Sequence, residues 1–573
     1  MNTAQSHMGL TCGDQRLSFT GKRWVWPAAT TPTQLLPRLL RQRGLVGAED
    51  IRGYLSPSLA NLDDPASMAD MAVAVARLCH AVAAGEAITV YGDYDVDGVC
   101  STAILVGYLR GVGAKVAYYI PDRRAEGYGL NAAAIETLAP RTQVLITTDC
   151  GITAHDEIAL ANRLGCDVIV VDHHQVGPRL PEACACLNPH RRDCGFPYKH
   201  LCAAGVAFML TVGLRRAMRQ EKMFGSGAEP DLRTLLDLVA VATVADMVPL
   251  TGTNRLLVRA GLRHMASTRR VGLRALAQVA QVDLERVSAS DLGFRVGPRI
   301  NARGRISQAA QAVDLLLTED AARAQQLAGV LDAANRTRQD IETQTLAEAA
   351  AQIDALGLAK QAAIVIHDET WHAGVLGLVA SRLVSRFQRP AIAIGEGGKG
   401  SGRSVEGFDL YGCLREHASH LLAFGGHPAA AGLTIVPEGV AAFRSAFAAS
   451  VAQHLGSPPF VAVLRPDAEI DAGQLSLPLV RDLEQLSPFG QGNPAPLFVA
   501  SNLSVRGARV VGNAHLKLAL GSSGHDAIAF GMGELASHLP PRCDVVFVAE
   551  RNFFRGRESL QLRVQDLRPA AQS

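Results

Sequence analysis

The sequence predicts an α/β protein: a parallel-sheet domain that carries the chemistry, a long helical connector, a second and smaller α/β domain, and a β-rich C-terminal domain. Three observations predict it. Between residues 85 and 175, short Val/Ile-rich runs at Ile88–Gly92, Lys115–Pro121, Val144–Asp149 and Val168–Asp172 alternate with helical windows near 99–110, 131–138 and 153–164. That alternation indicates a mostly parallel sheet with helices on both faces. From about 305 to 358 the chain is rich in Ala, Gln, Arg and Glu with Leu and Ile at helical spacing, and it contains little Gly or Pro, so one or two long helices are expected rather than a flexible linker. Beyond about 460 the strand candidates are Pro496–Asn502, Val505–Val511, His515–Leu520, Ala527–Gly531, Val545–Ala549 and Leu560–Val564, with a helix near 474–486.

Composition sets the limits. The chain has 573 residues, 48% hydrophobic and 19% charged, with a formal net charge of +2. This describes a globular protein of about three or four domains. The near-neutral charge means that any nucleic-acid surface is a local patch. Met1 to Leu17 has no apolar core of the secretory kind, and no run reaches the roughly 18 apolar residues of a membrane span. A cytoplasmic protein with no membrane partner is the expectation. Cys184, Cys186, Cys194 and Cys202, with His190 and His200 between them, lack the paired Cys-x2-4-Cys spacing of a zinc site, and they read as reduced, mostly buried thiols.

In order along the chain, residues 1–80 read as an N-terminal extension with Trp24, Trp26, a helix around Leu35–Arg43 and a turn at Tyr54–Leu59. The domain at 81–304 opens with Val90-Tyr91-Gly92-Asp93-Tyr94-Asp95-Val96-Asp97-Gly98. Side chains at alternate positions of an extended segment share a side, so Asp93, Asp95 and Asp97 can converge where the strand turns into the helix that Gly98 opens. Other runs end in acidic or imidazole groups: Thr148-Asp149-Cys150-Gly151 and Asp172-His173-His174. Asp246 lies in the apolar stretch Asp237–Leu250, where a buried, isolated carboxylate costs several kcal/mol unless a cation or donor faces it. The expectation is four such elements at equivalent strand ends, the place where ligands of parallel sheets collect.

A mixed carboxylate and imidazole set suits Mn²⁺ or Mg²⁺ better than zinc. Several carboxylates suggest two ions about 4 Å apart, which would clamp the attacking and leaving oxygens of a phosphoryl displacement and lower the pKa of bound water. Phosphoester or phosphoanhydride hydrolysis is the chemistry these residues point to.

Gly92-Asp93-Tyr94-Asp95-Val96-Asp97-Gly98, Thr148-Asp149-Cys150-Gly151, Asp172-His173-His174 and Ala245-Asp246-Met247-Val248-Pro249-Leu250 resemble the first four motifs of the DHH phosphoesterase superfamily. Within it the chain is similar to the bacterial single-strand-specific DNA exonucleases, a likeness that continues through Arg299-Ile300-Asn301-Ala302-Arg303-Gly304-Arg305. The resemblance implies a DHH catalytic domain. It also implies metal ligation by Asp95, Asp97, Asp149, His173 and Asp246, with Asp149 bridging the two ions. His174 would face the scissile phosphate or the leaving group, and Asp172 would orient the histidines. Some members carry a histidine where this chain has Tyr91, so Asp93 is the candidate to substitute in the first ion's ligand set.

After the connector at 305–358, the domain at 359–456 has a strand at Ala363–His367, a helix at His372–Phe387 and a strand at Ala391–Ile394. Two glycine-rich stretches follow, Gly400–Ser404 and Phe424–Gly432. Glycines let backbone amides approach a phosphate, and Arg403 can grip it through two hydrogen bonds. These stretches are similar to the substrate-gripping motifs of the DHHA1-like domain that accompanies DHH domains. The match places Arg382, Ser401, Arg403 and His427 on nucleic-acid phosphates, with Arg299, Asn301 and Arg303 acting from the catalytic side. The domain at 457–573 has the pattern of small all-β domains that include OB-folds. Its Arg551–Arg557 loop mixes arginines with Phe553 and Phe554, the ingredients of single-strand binding.

The implied function is a two-metal exonuclease that degrades single-stranded DNA from 5′ to 3′ into mononucleotides in DNA repair and recombination. Single-strand-binding protein and a repair helicase are partners expected from the resemblance. The alternatives are a DHH-type phosphodiesterase of short oligonucleotides or cyclic dinucleotides, and a non-catalytic single-strand DNA binder.

Overall fold

A computed structural model describes residues 16–122, 126–224, 229–306, 309–456, 460–512, 514–554 and 556–571. The chain separates into two compact units. One comprises Ser56–Gln339 with Ser487–Pro494; the other comprises Asp340–Leu486, the chain from Ala495 onward, and the described N-terminal residues up to Leu55.

The first unit is built on five strands: β1 (Ala87–Gly92), β2 (Lys115–Tyr119), β3 (Val144–Thr148), β4 (Asp167–Val171) and β5 (Ala185–Leu187). Their order is β2-β1-β3-β4-β5 and every neighbouring pair is parallel. Strands β1, β3 and β4 are almost wholly buried, which is why they read as continuous apolar runs and not as alternating ones. Helices α1 (Val96–Gly111), α2 (Ala132–Leu138) and α3 (His155–Arg163) make the crossovers. Helices α4 (Ala203–Gln220), α5 (Leu236–Ala245) and α6 (Gly252–Met265) join α1 in the larger of two cores, with Ile88, Val90 and Ile146 from the sheet. The other face packs Leu145, Val168 and Val170 against Ile135 and Ile158.

From β1 the chain crosses to β2 on one side and returns to β3 on the other. The crevice at the carboxyl ends of β1 and β3 is therefore the topological switch point, where open α/β sheets bind their ligands. The ladder runs one residue past the strands. Asp93 N–H donates to the Thr148 carbonyl at 3.2 Å, Asp149 N–H to Val171 at 3.0 Å, and Asp172 N–H to Leu187 at 3.0 Å. Three of the four acidic elements thus stand level on adjacent strands.

The fourth does not. Asp246 caps the C-terminus of α5 instead of ending a strand. Eight of the ten residues of α5 are buried, and a short run that is apolar all round has neither strand nor helix periodicity to tell the two apart. Downstream come a π turn at Leu292–Val296, α7 (Gly297–Ile306), α8 (Ala310–Leu317) and α9 (Ala321–Ala355), so the connector consists of two helices.

Among the described residues the second unit holds two large sheets besides a short two-stranded one. Strands β6 (Ile364–His367), β7 (Ala391–Ile394), β8 (Lys399–Arg403), β9 (Ala423–His427) and β10 (Ala430–Thr434) run in the order β9-β10-β8-β7-β6, with α10 (Ala373–Phe387) crossing between β6 and β7. The C-terminal sheet contains β11 (Ala468–Glu469), β12 (Phe498–Val511), β13 (His515–Leu520), β14 (His525–Ala529), β15 (Arg542–Phe554) and β16 (Arg557–Pro569). β12 also pairs with β15, which rolls the sheet toward closure.

Three expectations are corrected here. The runs at 496–502 and 505–511 fall on one strand, β12, which starts at Phe498 and is bent by irregular register instead of broken. Within Arg551–Arg557 the described residues extend the β15–β16 hairpin, with Phe553 opposite Glu558 and Phe554 opposite Arg557, while Arg555 lies outside the described residues. The N-terminal extension divides at residue 55. Its first part packs on the end of the chain: Arg23–Trp24 pairs in parallel with Val463–Leu464, and Trp24 Nε1 donates to Asp566 at 2.8 Å.

Candidate metal centre

Each acidic side chain is placed by a local backbone device. Asp95 is the N-cap of α1; its Oδ1 accepts from the N–H groups of Asp97 (2.8 Å) and Gly98 (3.1 Å). Asp97 lies in the first turn, where its two oxygens accept from Ala203 N–H (2.6 Å) and Ala204 N–H (2.8 Å) at the start of α4, so a helix N-terminus steadies its charge. A Cβ on Gly98 would lie 2.4 Å from the Asp93 carbonyl oxygen, and only glycine lets the aspartate turn close that tightly.

Asp149 leaves β3 at φ 63°, a left-handed conformation that aspartate tolerates better than most residues. Such conformations cluster at functional sites. Asp172 Oδ1 accepts from the His173 and His174 N–H groups at 2.7 and 3.1 Å and lies 2.7 Å from His174 Nδ1, while Oδ2 takes the Ile152 N–H at 3.0 Å. Asp172 is therefore spent on holding the two histidines.

The side chains converge in three overlapping groups whose candidate ligand atoms lie within 4.8 Å of one another: Asp93, Asp95 and Asp149; Asp97, His173 and Asp246; and Asp149, His173 and His174. His173 Nε2 is 3.3 Å from Asp149 Oδ1 and 3.7 Å from both Asp97 Oδ2 and Asp246 Oδ2. Asp149 belongs to two of the groups, the position a bridging ligand occupies. Asp93 stands with Asp95 and Asp149, whereas Tyr91 is buried in the core, its hydroxyl donating to the Gly129 carbonyl at 3.0 Å.

The electrostatics call for a cation. Burial, then the charges of Asp95, Asp97, Asp93 and Asp246, push the Asp149 carboxyl well above the ordinary range. Burial, then Asp97 and Asp95, push Asp246 up to about 9. Asp172 goes the other way: burial alone would raise it, but the His174 hydrogen bond and charge and the backbone donors bring it down to about 2. His173 Nε2 and Asp246 Oδ2 are buried without a hydrogen-bond partner. A set of carboxylate oxygens with one or two imidazoles, facing each other with polar atoms unsatisfied, fits hard divalent cations.

Sequence reasoning missed Tyr128. Its hydroxyl lies 3.2 Å from the Asp149 carbonyl and 3.3 Å from His174 Nε2. The signal was its place between Gly127 and Gly129, both at φ 84°, which marks a turn at the sheet's carboxyl edge.

The expected DNA-contacting residues fall in three places. In the first unit Arg299 lies in α7, where its Nε donates to Asp332 at 2.9 Å and its Nη1 to the Arg295 carbonyl at 2.6 Å; Asn301 is half-buried in the same helix. The Arg303 side chain lies outside the described residues. In the smaller sheet Arg403 donates to Ser401 Oγ (3.1 Å) and the Gly402 carbonyl (2.8 Å), neither of them an anion. A Cβ on Gly377 of α10 would meet both side chains, at 2.8 and 3.1 Å. His427 is exposed at the end of β9, opposite Ala430, which itself pairs with Arg403. Arg382 is exposed on α10, with Nε 3.4 Å from Glu342. At the hairpin tip Phe553 and Phe554 are exposed, while Arg551 is tied to Glu484 and Glu558.

Family models match in the same order: the N-terminal domain of the DHH family over residues 87–243, the DHHA1 domain over 359–453 and the RecJ OB domain over 466–566. The single-stranded-DNA-specific exonuclease RecJ of Bacillus subtilis is 38% identical over 546 residues, covering 93% of this chain and 68% of that protein. The Escherichia coli exonuclease of the same name is 35% identical, with 96% and 98% of the two chains covered. Among solved structures, RecJ of Thermus thermophilus in complex with Mn²⁺ superposes with a TM-score of 0.79 at 33% identity, covering 96% of this chain and 80% of that one; its Mg²⁺ complex gives 0.72. Motifs, domain order and fold agree along nearly the whole length, and the chain belongs to the RecJ family of single-stranded-DNA-specific exonucleases.

Proposed function

We propose that this chain hydrolyses single-stranded DNA from its 5′ end, releasing mononucleotides in DNA repair and recombination, with two Mn²⁺ or Mg²⁺ ions as cofactors. The observation that carries the reading is the convergence of Asp93, Asp95, Asp97, Asp149, His173 and Asp246 at the switch point of a parallel sheet. Membership of the family supplies the substrate class.

The geometry supports the following residue roles. The Asp93–Asp95–Asp149 group would hold one cation and the Asp97–His173–Asp246 group the other, with Asp149, whose Oδ1 is 3.3 Å from His173 Nε2, in reach of both. Bound ions supply Lewis-acid activation of the phosphoryl group and of the attacking water. Burial, opposed by the Asp172 hydrogen bond and charge, leaves the His174 imidazole above its ordinary value. His174 is therefore set to donate to a phosphate oxygen or protonate the leaving 3′ oxygen. Asp172 fixes the imidazole's orientation through Nδ1.

In the second unit Arg403, Ser401, His427 and Arg382 grip backbone phosphates from the smaller sheet, and in the first unit Arg299, Asn301 and Arg303 contribute from α7. Phe553 and Phe554 stack on bases of a longer strand. On this reading the enzyme works in the cytoplasm with a single-strand-binding protein and a repair helicase.

The test is hydrolysis of 5′- and 3′-end-labelled single and double strands with each metal. The 5′ label is expected to leave first, as a mononucleotide, from single strands and not from blunt duplexes. First release of the 3′ label would overturn the polarity. Turnover of dinucleotides but not of long strands would move the chain to the small-substrate hydrolases. Phe554→Ala is expected to weaken binding of long strands by about 1–3 kcal/mol, the usual worth of a base stack, with short strands unaffected.

A further inference from the structure

Two large apolar side chains stand in solvent on segments that adjoin the carboxylate cluster in sequence or by packing. Met247 is 70% exposed and Phe294 81% exposed. Met247 directly follows Asp246 and takes φ 59°, the left-handed turn that leads the chain out of α5. Phe294 sits in the π turn, between the buried Leu292 and Val296. Single-turn π segments inside helices recur at functional sites.

The glycines around Phe294 fix where the turn lies. A Cβ on Gly293 would be 3.4 Å from Val244, and one on Gly297 would be 3.4 Å from Ala245 and 3.9 Å from Val96. Val244 and Ala245 lead into Asp246, and Val96 separates Asp95 from Asp97. Farther along α7, a Cβ on Gly304 would lie 2.5 Å from the Tyr94 carbonyl oxygen. The inner edge of the π turn and of α7 is thus laid on the two segments that carry Asp95, Asp97 and Asp246, and Phe294 projects from the side that is not buried.

A lone exposed Phe or Met needs no explanation. Here Met247 follows Asp246 directly, Phe294 sits between glycines packed on the segments that carry Asp95, Asp97 and Asp246, and Tyr128, 56% exposed, stands edge-on to His174 with ring centroids 5.9 Å apart. We infer that Phe294 and Met247 form a stacking subsite that holds a nucleobase of the strand while its phosphate lies on the metal cluster. The inference deepens the nuclease reading above and rests on it. A strand delivering a phosphate to this cluster brings its flanking bases to the rim. Every base has a π-face, so an aromatic and a polarisable thioether grip any sequence alike. The occupant is a nucleobase without sequence preference.

The test compares wild type, Phe294→Ala, Phe294→Trp and Met247→Ala on a normal single strand and on one whose terminal nucleotides are abasic. It reads kcat and KM for cleavage and, separately, equilibrium binding without added metal. Phe294→Ala is expected to lose roughly 5- to 150-fold in kcat/KM on the normal strand, the range for one base stack. Phe294→Trp should retain activity. On the abasic strand wild type and Phe294→Ala should be equal. A loss by Phe294→Ala of the same size on both strands, or no loss on either, would overturn the subsite. If wild type itself left the normal strand uncut, the nuclease reading would fail, and the binding comparison would still decide the subsite by the same criterion. Thermal melts of the variants check that the exposed substitutions leave the fold intact.

Discussion

Asp149 is the residue on which the site turns, because it is the carboxylate shared between cation groups and the one carried on a left-handed backbone. Asp149→Ala should lose more hydrolysis than the roughly 10- to 100-fold typical of losing an outer hydrogen-bond partner, with strand binding still detectable. Asp172→Asn, which touches the histidines but belongs to no cation group itself, should fall within that range. Single-turnover cleavage with each variant checks both, and full activity in Asp149→Ala would refute the ligand assignment. The same residues predict a pH dependence. Burial and neighbouring charges raise Asp246 to about 9 from 3.8, so the folded protein holds a proton there more tightly than the unfolded chain does. Without cation, the contribution of Asp246 to stability is then greatest toward acid and falls as pH rises through that window. Cation binding must displace the proton, so Mn²⁺ affinity should rise with pH up to about 9. Titration calorimetry in buffers of different ionisation enthalpy should show proton release. PH-independent affinity between 6 and 9 would contradict the assignment.

At the scale of elements, ligand geometry depends on backbone contacts that no ligand makes. Gly98→Ala would place a methyl 2.4 to 2.7 Å from three backbone atoms of Asp93. It should therefore lower cation affinity while removing no ligand, at a stability cost of about 1–3 kcal/mol. Mn²⁺ titration with a parallel denaturant melt checks this, and unchanged affinity would mean that the turn can open freely. What the sequence disclosed follows the same division. The ends of β1, β3 and β4 were legible because a buried parallel strand reads as an unbroken apolar run and its ligand follows at once in sequence. Asp246 was legible as a buried acid but not as a helix cap, since α5 is apolar all round. The bond from the α4 N-terminus to Asp97, the π turn under Phe294 and the reach of Tyr128 toward Asp149 join segments distant in sequence or depend on local winding. Residue spacing does not encode such contacts. The tip of the β15–β16 hairpin was read as a loop because its arginines and glycine are turn-like, although cross-strand pairing continues to Phe554 and Arg557.

At the scale of the whole molecule, the chain does not divide in sequence order. The unit that carries every candidate metal ligand runs from Ser56 to Gln339 and takes back Ser487–Pro494, where Leu250 N–H donates to the Gln491 carbonyl at 2.7 Å. The other unit ties the N-terminal segment to the last strand. The Arg568 guanidinium lies over the rings of Trp24 and Trp26 at 4.7 and 5.0 Å and pairs with Asp544 at 3.1 Å. Removing residues beyond about 460 would therefore strip Trp24 of its packing as well as removing the proposed DNA-binding surface, so point changes at Phe553 and Phe554 test that proposal more cleanly. Two units with separate cores predict two calorimetric transitions. A ligand that binds only one folded unit stabilises that unit alone, by about 2.7 kcal/mol at a concentration 100 times its Kd. Mn²⁺ should raise the transition of the carboxylate-bearing unit and leave the other in place, and Asp149→Ala should abolish that shift without moving the second transition. If Mn²⁺ moved both transitions together, or if a single transition were seen at every metal concentration, the two units would be thermodynamically one, and cation binding would be coupled to the second unit as well as to the carboxylate cluster.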